Sequence, residues 1–294
     1  GERMDFIEQI INGLSTGSMY ALVAVGYTMV YGIAKMINFA HGEIIMVGAY
    51  ITYACMSVFG LPMILAVILS IIGCALLGIV TERVAYRPLR GSGSLAVLIT
   101  AIGVSYLLQN LFLIIFGSAS LTFPKIIPSG TIHLGAISMS YVTIATLVIT
   151  AISTALLLFF INKTKLGKAM RAVSEDGKAA QLMGINVDTT IALTFAIGSA
   201  LAAIAGVIYG TKFSLINPYI GAMLGIKAFI AAVLGGIGSI QGAMIGGLII
   251  GIAESFTITY ISSAFSDAVV FGILIFILLI KPAGLFGSNV REKV

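Results

Sequence analysis

Charge is what this sequence has least of. Sixteen Lys and Arg and eleven Asp and Glu make up 9% of 294 residues, while 59% are hydrophobic. A soluble domain carries about 25% charged residues. So few charges cannot wet the surface of a folded chain this long. That excludes a soluble enzyme, a nucleic-acid-binding domain and a disordered chain. Cysteine is nearly absent too. Cys55 and Cys74 both lie inside apolar runs, which reads as buried small side chains and excludes a disulfide framework. Two histidines, His41 and His133, are too few for most metal clusters. No Gly-x-x-x-x-Gly-Lys-Ser/Thr loop is present to cradle ATP phosphates, and neither histidine has a nucleophile pattern around it. The chain is therefore expected to be no enzyme by itself, with no cofactor and no metal. No basic stretch followed by an apolar core and a cleavage site opens it, so no cleavable signal peptide is expected.

What is there is apolar length. The hydrophobic residues together with 34 glycines are enough for about nine crossings at roughly 20–23 residues each. Backbone polar groups in lipid must be satisfied internally, by helices or by a closed barrel. Runs such as 63–80 and 191–208 are continuously apolar, with no alternation, and so predict helices. Apolar runs fall at 6–31, 44–59, 63–80, 95–116, 140–161, 190–210, 226–234, 242–256 and 268–280. The run 226–234 is short enough to be a half-helix. The expected fold is all-α: one transmembrane domain over 1–294, a polytopic helical bundle with eight or nine membrane segments.

Lys and Arg orient it. The polar loop 82–93 holds Arg83, Arg87 and Arg90, and the segment 162–190 holds Lys163, Lys165, Lys168, Arg171 and Lys178, whereas the connection 117–139 holds only Lys125. By the positive-inside rule the first two are cytoplasmic. Two spans separate them, which puts them on one side. The connection, expected to form a small hairpin around Pro124, Pro128 and Gly130, then lies outside with the N-terminus. Gly242/Gly246, Gly247/Gly251 and the row Gly198–Ala202–Gly206 let helix backbones approach closely. They suit packing within the bundle or against a second subunit.

Polar groups interrupt the apolar pattern in a few places. Asn38, Phe39, His41 and Glu43 sit in a break after the first run, and Gly235 and Gly236 in a second break. Paired interruptions of this kind point to a transporter's central site, and these six residues are candidates for the substrate pathway. The other reading is an ordinary interfacial turn. Glu43 and Glu254 are carboxylates in apolar surroundings, which must face the bundle interior, a cavity or the interface. Lys227 reads as a snorkelling end-anchor. In the long cytoplasmic segment Ser174 reads as the N-cap of a short helix, with Glu175 and Asp176 in its first turn and Gly184 ending it. Ala179, Ala180, Leu182 and Met183 give that helix a small apolar face, shaped to dock in a partner's groove.

This segment resembles the cytoplasmic loop of ABC-importer permeases. Further motifs extend the likeness over essentially the whole chain: Gly26-Tyr-Thr-Met-Val-Tyr-Gly32, Met36-Ile-Asn-Phe-Ala-His-Gly-Glu43, Glu82-Arg-Val-Ala-Tyr-Arg-Pro88, Ile216-Asn-Pro-Tyr-Ile-Gly221, Ala231-Ala-Val-Leu-Gly-Gly-Ile-Gly-Ser239 and Lys281-Pro-Ala-Gly-Leu-Phe-Gly287. Together they resemble the LivH-type permeases of branched-chain amino acid importers. The resemblance implies alternating-access transport of leucine, isoleucine and valine in a bacterial or archaeal plasma (inner) membrane. It implies a second homologous permease subunit, two cytoplasmic ABC ATPase subunits, an extracytoplasmic amino-acid-binding protein and surrounding membrane lipid, with no nucleic acid. Arg171, Glu175, Asp176, Ala179, Ala180 and Gly184 would form the ATPase-coupling element. One departure stands out: the general pattern has an acid directly before the Ala pair, and here Lys178 stands there. The same family type would also serve an amide, urea or another amino acid. An ion-coupled secondary transporter, using Glu43 and Glu254, is the alternative from another class.

Overall fold

The computed structural model describes residues 2–134 and 137–287. Its elements are α1 (Glu2–Ala34), α2 (His41–Tyr53), α3 (Met63–Thr81), α4 (Ser94–Phe116), β1 (Leu121–Thr122), β2 (Thr131–Leu134), β3 (Ile137–Ser140), α5 (Tyr141–Lys163), α6 (Lys165–Glu175), α7 (Gly177–Leu182), α8 (Val187–Phe213), β4 (Leu215–Ile216), α9 (Ile220–Gly235), α10 (Ile240–Tyr260) and α11 (Ser266–Ile280). Seven helices are long and apolar enough to span a membrane. Two shorter ones, α2 and α9, complete the bundle. The expected all-α bundle is therefore the fold. The half-helix is longer than its apolar run, beginning at Ile220.

Contacts between distant segments fix the sides. Glu8 accepts hydrogen bonds from the backbone and hydroxyl of Ser138, and β1 pairs with β4. The start of α1, the 117–139 connection and the α8–α9 turn thus share one face. Arg87 and Arg90 pair with Asp188, and Arg171 and Glu175 line one cavity with Pro282 and Phe286. The Arg-rich loop, the start of α8 and the C-terminal segment thus share the opposite face, the one the positive-inside rule reads as cytoplasmic. The end of α1 lines a cavity with Leu89 and Arg90 beyond α3, and the end of α9 is bonded to Phe286, so α2 and α9 each carry the chain across.

The centre consists of α1, α2, α8 and α9, and glycines set how closely these and α10 pack. Gly247 and Gly251 of α10 press on Ala21 and Gly17 of α1, while Gly242 and Gly246 press on Gly235 and Ala231 of α9. Both glycine pairs are thus used inside this chain. Gly206 of α8 abuts the Ile45 backbone, and Gly48 of α2 lies against Ala203. By contrast α3, α4, α5 and α11 expose large apolar side chains such as Leu76, Ile114, Leu156 and Leu279 along the rim, as lipid contact requires.

The segment expected to be a polar loop at 82–93 differs. A π turn at Glu82–Tyr86 and a 3-10 turn at Arg87–Leu89 carry α3 onward. Glu82 is fully buried and pairs with Arg90. Glu82 and Asp188 together offset Arg87 and Arg90, two of the three arginines of the segment, so the helix need not break into solvent at Glu82.

Candidate functional site

The first break has a clear local cause. α1 ends at Lys35, which takes φ 55°, a left-handed conformation that stops a helix. Residues 35–40 then run without helix before α2 begins at His41. Asn38, His41 and Glu43 are all buried. Asn38 Oδ1 accepts a hydrogen bond from Tyr86 Oη at 2.7 Å. The His41 ring packs edge-on to Tyr27 at 4.8 Å, and half-buried Phe39 packs on Phe229 at 5.2 Å. Glu43 Oε1 accepts from Ser105 of α4 at 3.2 Å. Its Oε2, like His41 Nε2, has no partner among the described residues.

Two short helices meet here. A Cβ on Gly42 would stand 2.8 Å from the Gly225 Cα, and one on Gly221 would stand 2.5 Å from Glu43 Oε2. The N-terminal turns of α2 and α9 therefore cross on glycine. Glu43 lies in the first turn of α2, where the helix dipole favours a negative charge. Tyr86→Phe removes the one donor to Asn38 Oδ1 and is expected to cost about 1–3 kcal/mol. Thermal unfolding in detergent reads it, and an unchanged Tm would contradict a structural role for that bond.

The second break is different in kind. Gly236 and Gly238 take φ 105° and 98°. The space beside Gly235 is filled by the Gly242 backbone, and that beside Gly236 by Phe286–Gly287. Gly32 of α1 faces Gly238, so the two breaks adjoin. A cavity of about 740 Å³, lined among others by Lys35, Arg171, Glu175 and Gly238, opens beside them toward the cytoplasmic face.

The cytoplasmic element is capped at Asp176, correcting the expected Ser174. Asp176 Oδ1 accepts from the Lys178 and Ala179 amides at 2.8 and 3.0 Å, whereas Ser174 lies inside α6 and its hydroxyl donates to the Arg171 carbonyl. Gly184 closes α7 at φ 84°, with the Ile185 amide returning to the Ala180 carbonyl at 3.1 Å, as in a Schellman motif. Ala180 is buried with Tyr86, Val173, Ile191 and Phe195. It therefore holds α7 to this chain and faces no partner. The outward apolar pair is Leu182 and Met183, 88% and 83% exposed. Arg171, Glu175 and Ala179 are exposed around it.

Sequence reasoning missed two sites. One is the Glu82–Arg90–Asp188–Arg87 cluster, in which Asp188 lies 98 and 101 residues from its two arginines. The other involves Lys227, which does not snorkel. It is buried, and its ammonium contacts Glu254 Oε1 at 2.6 Å and Asp267 Oδ1 at 2.8 Å. Glu254 also accepts from Tyr20 Oη at 2.6 Å and Ser266 Oγ at 3.2 Å. The expected structural hydrogen bonding of Glu254, on α10, is thus met by three other elements at once: α1, α9 and the start of α11.

Comparison with known proteins places this architecture. Residues 9–278 match the family model described as branched-chain amino acid transport system / permease component. The chain is 46% identical to the high-affinity branched-chain amino acid transport system permease protein BraD of Pseudomonas aeruginosa, with 98% of each chain covered. It is equally similar, at 46% and 98% of each, to LivH of Escherichia coli K12. The probable LivH of Methanocaldococcus jannaschii is 31% identical over 94% of this chain and 90% of that one. Among solved structures, PsaBC from Streptococcus pneumoniae in complex with Fab aligns at a TM-score of 0.50 and 16% identity, covering 94% of this chain and 92% of that chain, a likeness of fold alone. With a family match over nearly all its length, on a bundle of seven span-length and two shorter helices, the chain belongs to the permease family of branched-chain amino acid transport systems.

Proposed function

We propose that this chain is the membrane-spanning permease of an ATP-driven importer of leucine, isoleucine and valine in a bacterial or archaeal plasma (inner) membrane. The observation that carries the reading is 46% identity, over 98% of both chains, to permeases named for high-affinity branched-chain amino acid transport. ATP would be hydrolysed by two partner ATPases, substrate delivered by an extracytoplasmic binding protein, and the path completed by a second homologous permease.

The coupling element is α6–α7. Leu182 and Met183 stand out as the apolar knobs an ATPase groove would take, with Arg171, Glu175 and Asp176 flanking and Gly184 setting the turn. Ala179 lies at the rim, and Ala180 transmits the push by resting on the ends of α3 and α8. The Arg87–Asp188–Arg90–Glu82 cluster joins the same ends, so motion of α7 moves both helices. In the membrane, Asn38, Phe39, His41 and Glu43 form the pathway candidate. Glu43 is the group suited to a substrate ammonium, and Gly235 and Gly236 permit the close helix approach that shifts during alternating access. Against an ion-coupled transporter, Glu254 is already engaged by Lys227, Tyr20 and Ser266.

Leu182→Asp should abolish co-purification of the ATPases, because it puts a charge into an apolar groove, while leaving the chain folded, since Leu182 touches little of it. Gentle-detergent pull-down from native membranes, with leucine uptake in reconstituted vesicles, reads both. Full recovery of the ATPases with the variant would overturn the assignment of the docking knob. A wild-type chain that purifies alone and moves leucine on an ion gradient would overturn the importer reading.

A further inference from the structure

On the extracytoplasmic side residues 121–131 fold back over the outer ends of α1, α5 and α8, pinned by the β1–β4 pairing and by Phe123, which is buried against Gly210. Beneath it lies a cavity of about 490 Å³. Its polar lining includes Asn12, Lys125, Ser129, Thr143, Thr211 and Lys212, with apolar walls from Phe123, Pro124 and Val142, and no carboxylate lines it among the described residues. Lys212 does not reach out to solvent as an end-anchor would. It turns inward and donates to Ser15 Oγ at 3.1 Å and Thr16 Oγ1 at 2.7 Å on α1.

An ammonium has three protons to donate, and two are taken by neutral hydroxyls. Among the described residues no carboxylate pairs with Lys212. Glu254, the acid of the neighbouring network, is held by Lys227, Tyr20 and Ser266. A partly buried lysine whose hydrogen-bond partners are hydroxyls, lining a cavity that also carries Lys125, favours an anion. The apolar walls favour one with a hydrocarbon tail. We infer that this cavity is an outer binding station for the carboxylate end of a small apolar amino acid, with Lys212 as its principal cation and Lys125 as the second.

This rests on the transport reading above and adds to it a site at the outer mouth, distinct from the α2–α9 crossing where Glu43 faces the ammonium. A cation station outside and an anion station deeper would engage the two ends of a zwitterion in turn.

The test uses the whole importer in vesicles, without binding protein, carrying Ser129→Cys. Both native cysteines are buried, so a membrane-impermeant maleimide added outside reports this position. Leucine and 4-methylpentanoate (carboxylate without ammonium) should slow labelling several-fold, and leucinol (ammonium without carboxylate) should not. Lys212→Gln should remove the protection and Lys212→Arg restore it. Lys125→Gln, which disturbs no α1–α8 hydrogen bond, should weaken it even if Lys212→Gln fails to fold. Protection by leucinol equal to that by leucine, or protection unaffected by the lysine changes, would overturn the carboxylate site. Leucine transport by the same vesicles once binding protein is added, with no protection in its absence, would overturn the site alone. Protection by 4-methylpentanoate in an importer that carries no branched-chain amino acid would overturn the transport reading and leave the site standing.

Discussion

Lys227→Met is expected to destabilise the folded chain by about 3–5 kcal/mol, the cost of leaving a buried carboxylate without its cation. Glu254 would keep only the Tyr20 and Ser266 hydroxyls. The reverse change, Glu254→Gln, should cost less. Lys227 would still hold Asp267 at 2.8 Å, and Asp267 is nearly half exposed, so water shares the charge. Lys227→Met with Glu254→Gln together should recover part of the loss, because the charge left unpaired is then Asp267, which water reaches. Thermal unfolding of the purified chain in detergent compares the three. If the two single changes cost the same to within about 0.5 kcal/mol and the double change is additive, the carboxylate and the ammonium are not coupled as the geometry requires.

Gly251→Leu should be at least as damaging. Its Cβ would meet the Gly17 backbone of α1, and a backbone cannot rotate away as a side chain can. The seam between α1 and α10 would have to part, at about 3 kcal/mol for overpacking alone, with Gly247 and its neighbours losing contact too. The same substitution at Gly103 of α4, where nothing lies within 4 Å of the missing side chain, should change stability little. Size-exclusion profiles of the two variants separate packing from a general intolerance of bulk in membrane helices. A monodisperse Gly251→Leu chain would contradict the seam.

The two changes expose different parts of what a sequence carries. Local chemistry was legible. Continuous apolar runs gave helices because lipid leaves the backbone no other partner, and arginine and lysine placed the loops. Gly184, at φ 84°, ends α7 where the pattern put it. The misreadings were competitions among neighbours. Ser174 and Asp176 are both good caps two residues apart, and the extra turn of α6 gave the role to Asp176. The segment 82–93 looked like a loop because its charges were counted without their partners.

Pairings across the chain were beyond reach. A glycine row states that something comes close, without naming it; Gly247 and Gly251 could serve another subunit as well as α1. Lys227 reads as an anchor until Glu254 and Asp267 arrive from other helices, and nothing local says that Lys212 turns inward onto α1. The amino-acid sequence by itself determined that this chain lives in lipid, that it is helical, which loops face the cytoplasm, and which family it resembles, because each follows from composition, period or local motif. Only the tertiary structure decided which buried charges are neutralised, which glycine meets which backbone, and where cavities remain, because those depend on distances between residues that are far apart along the chain.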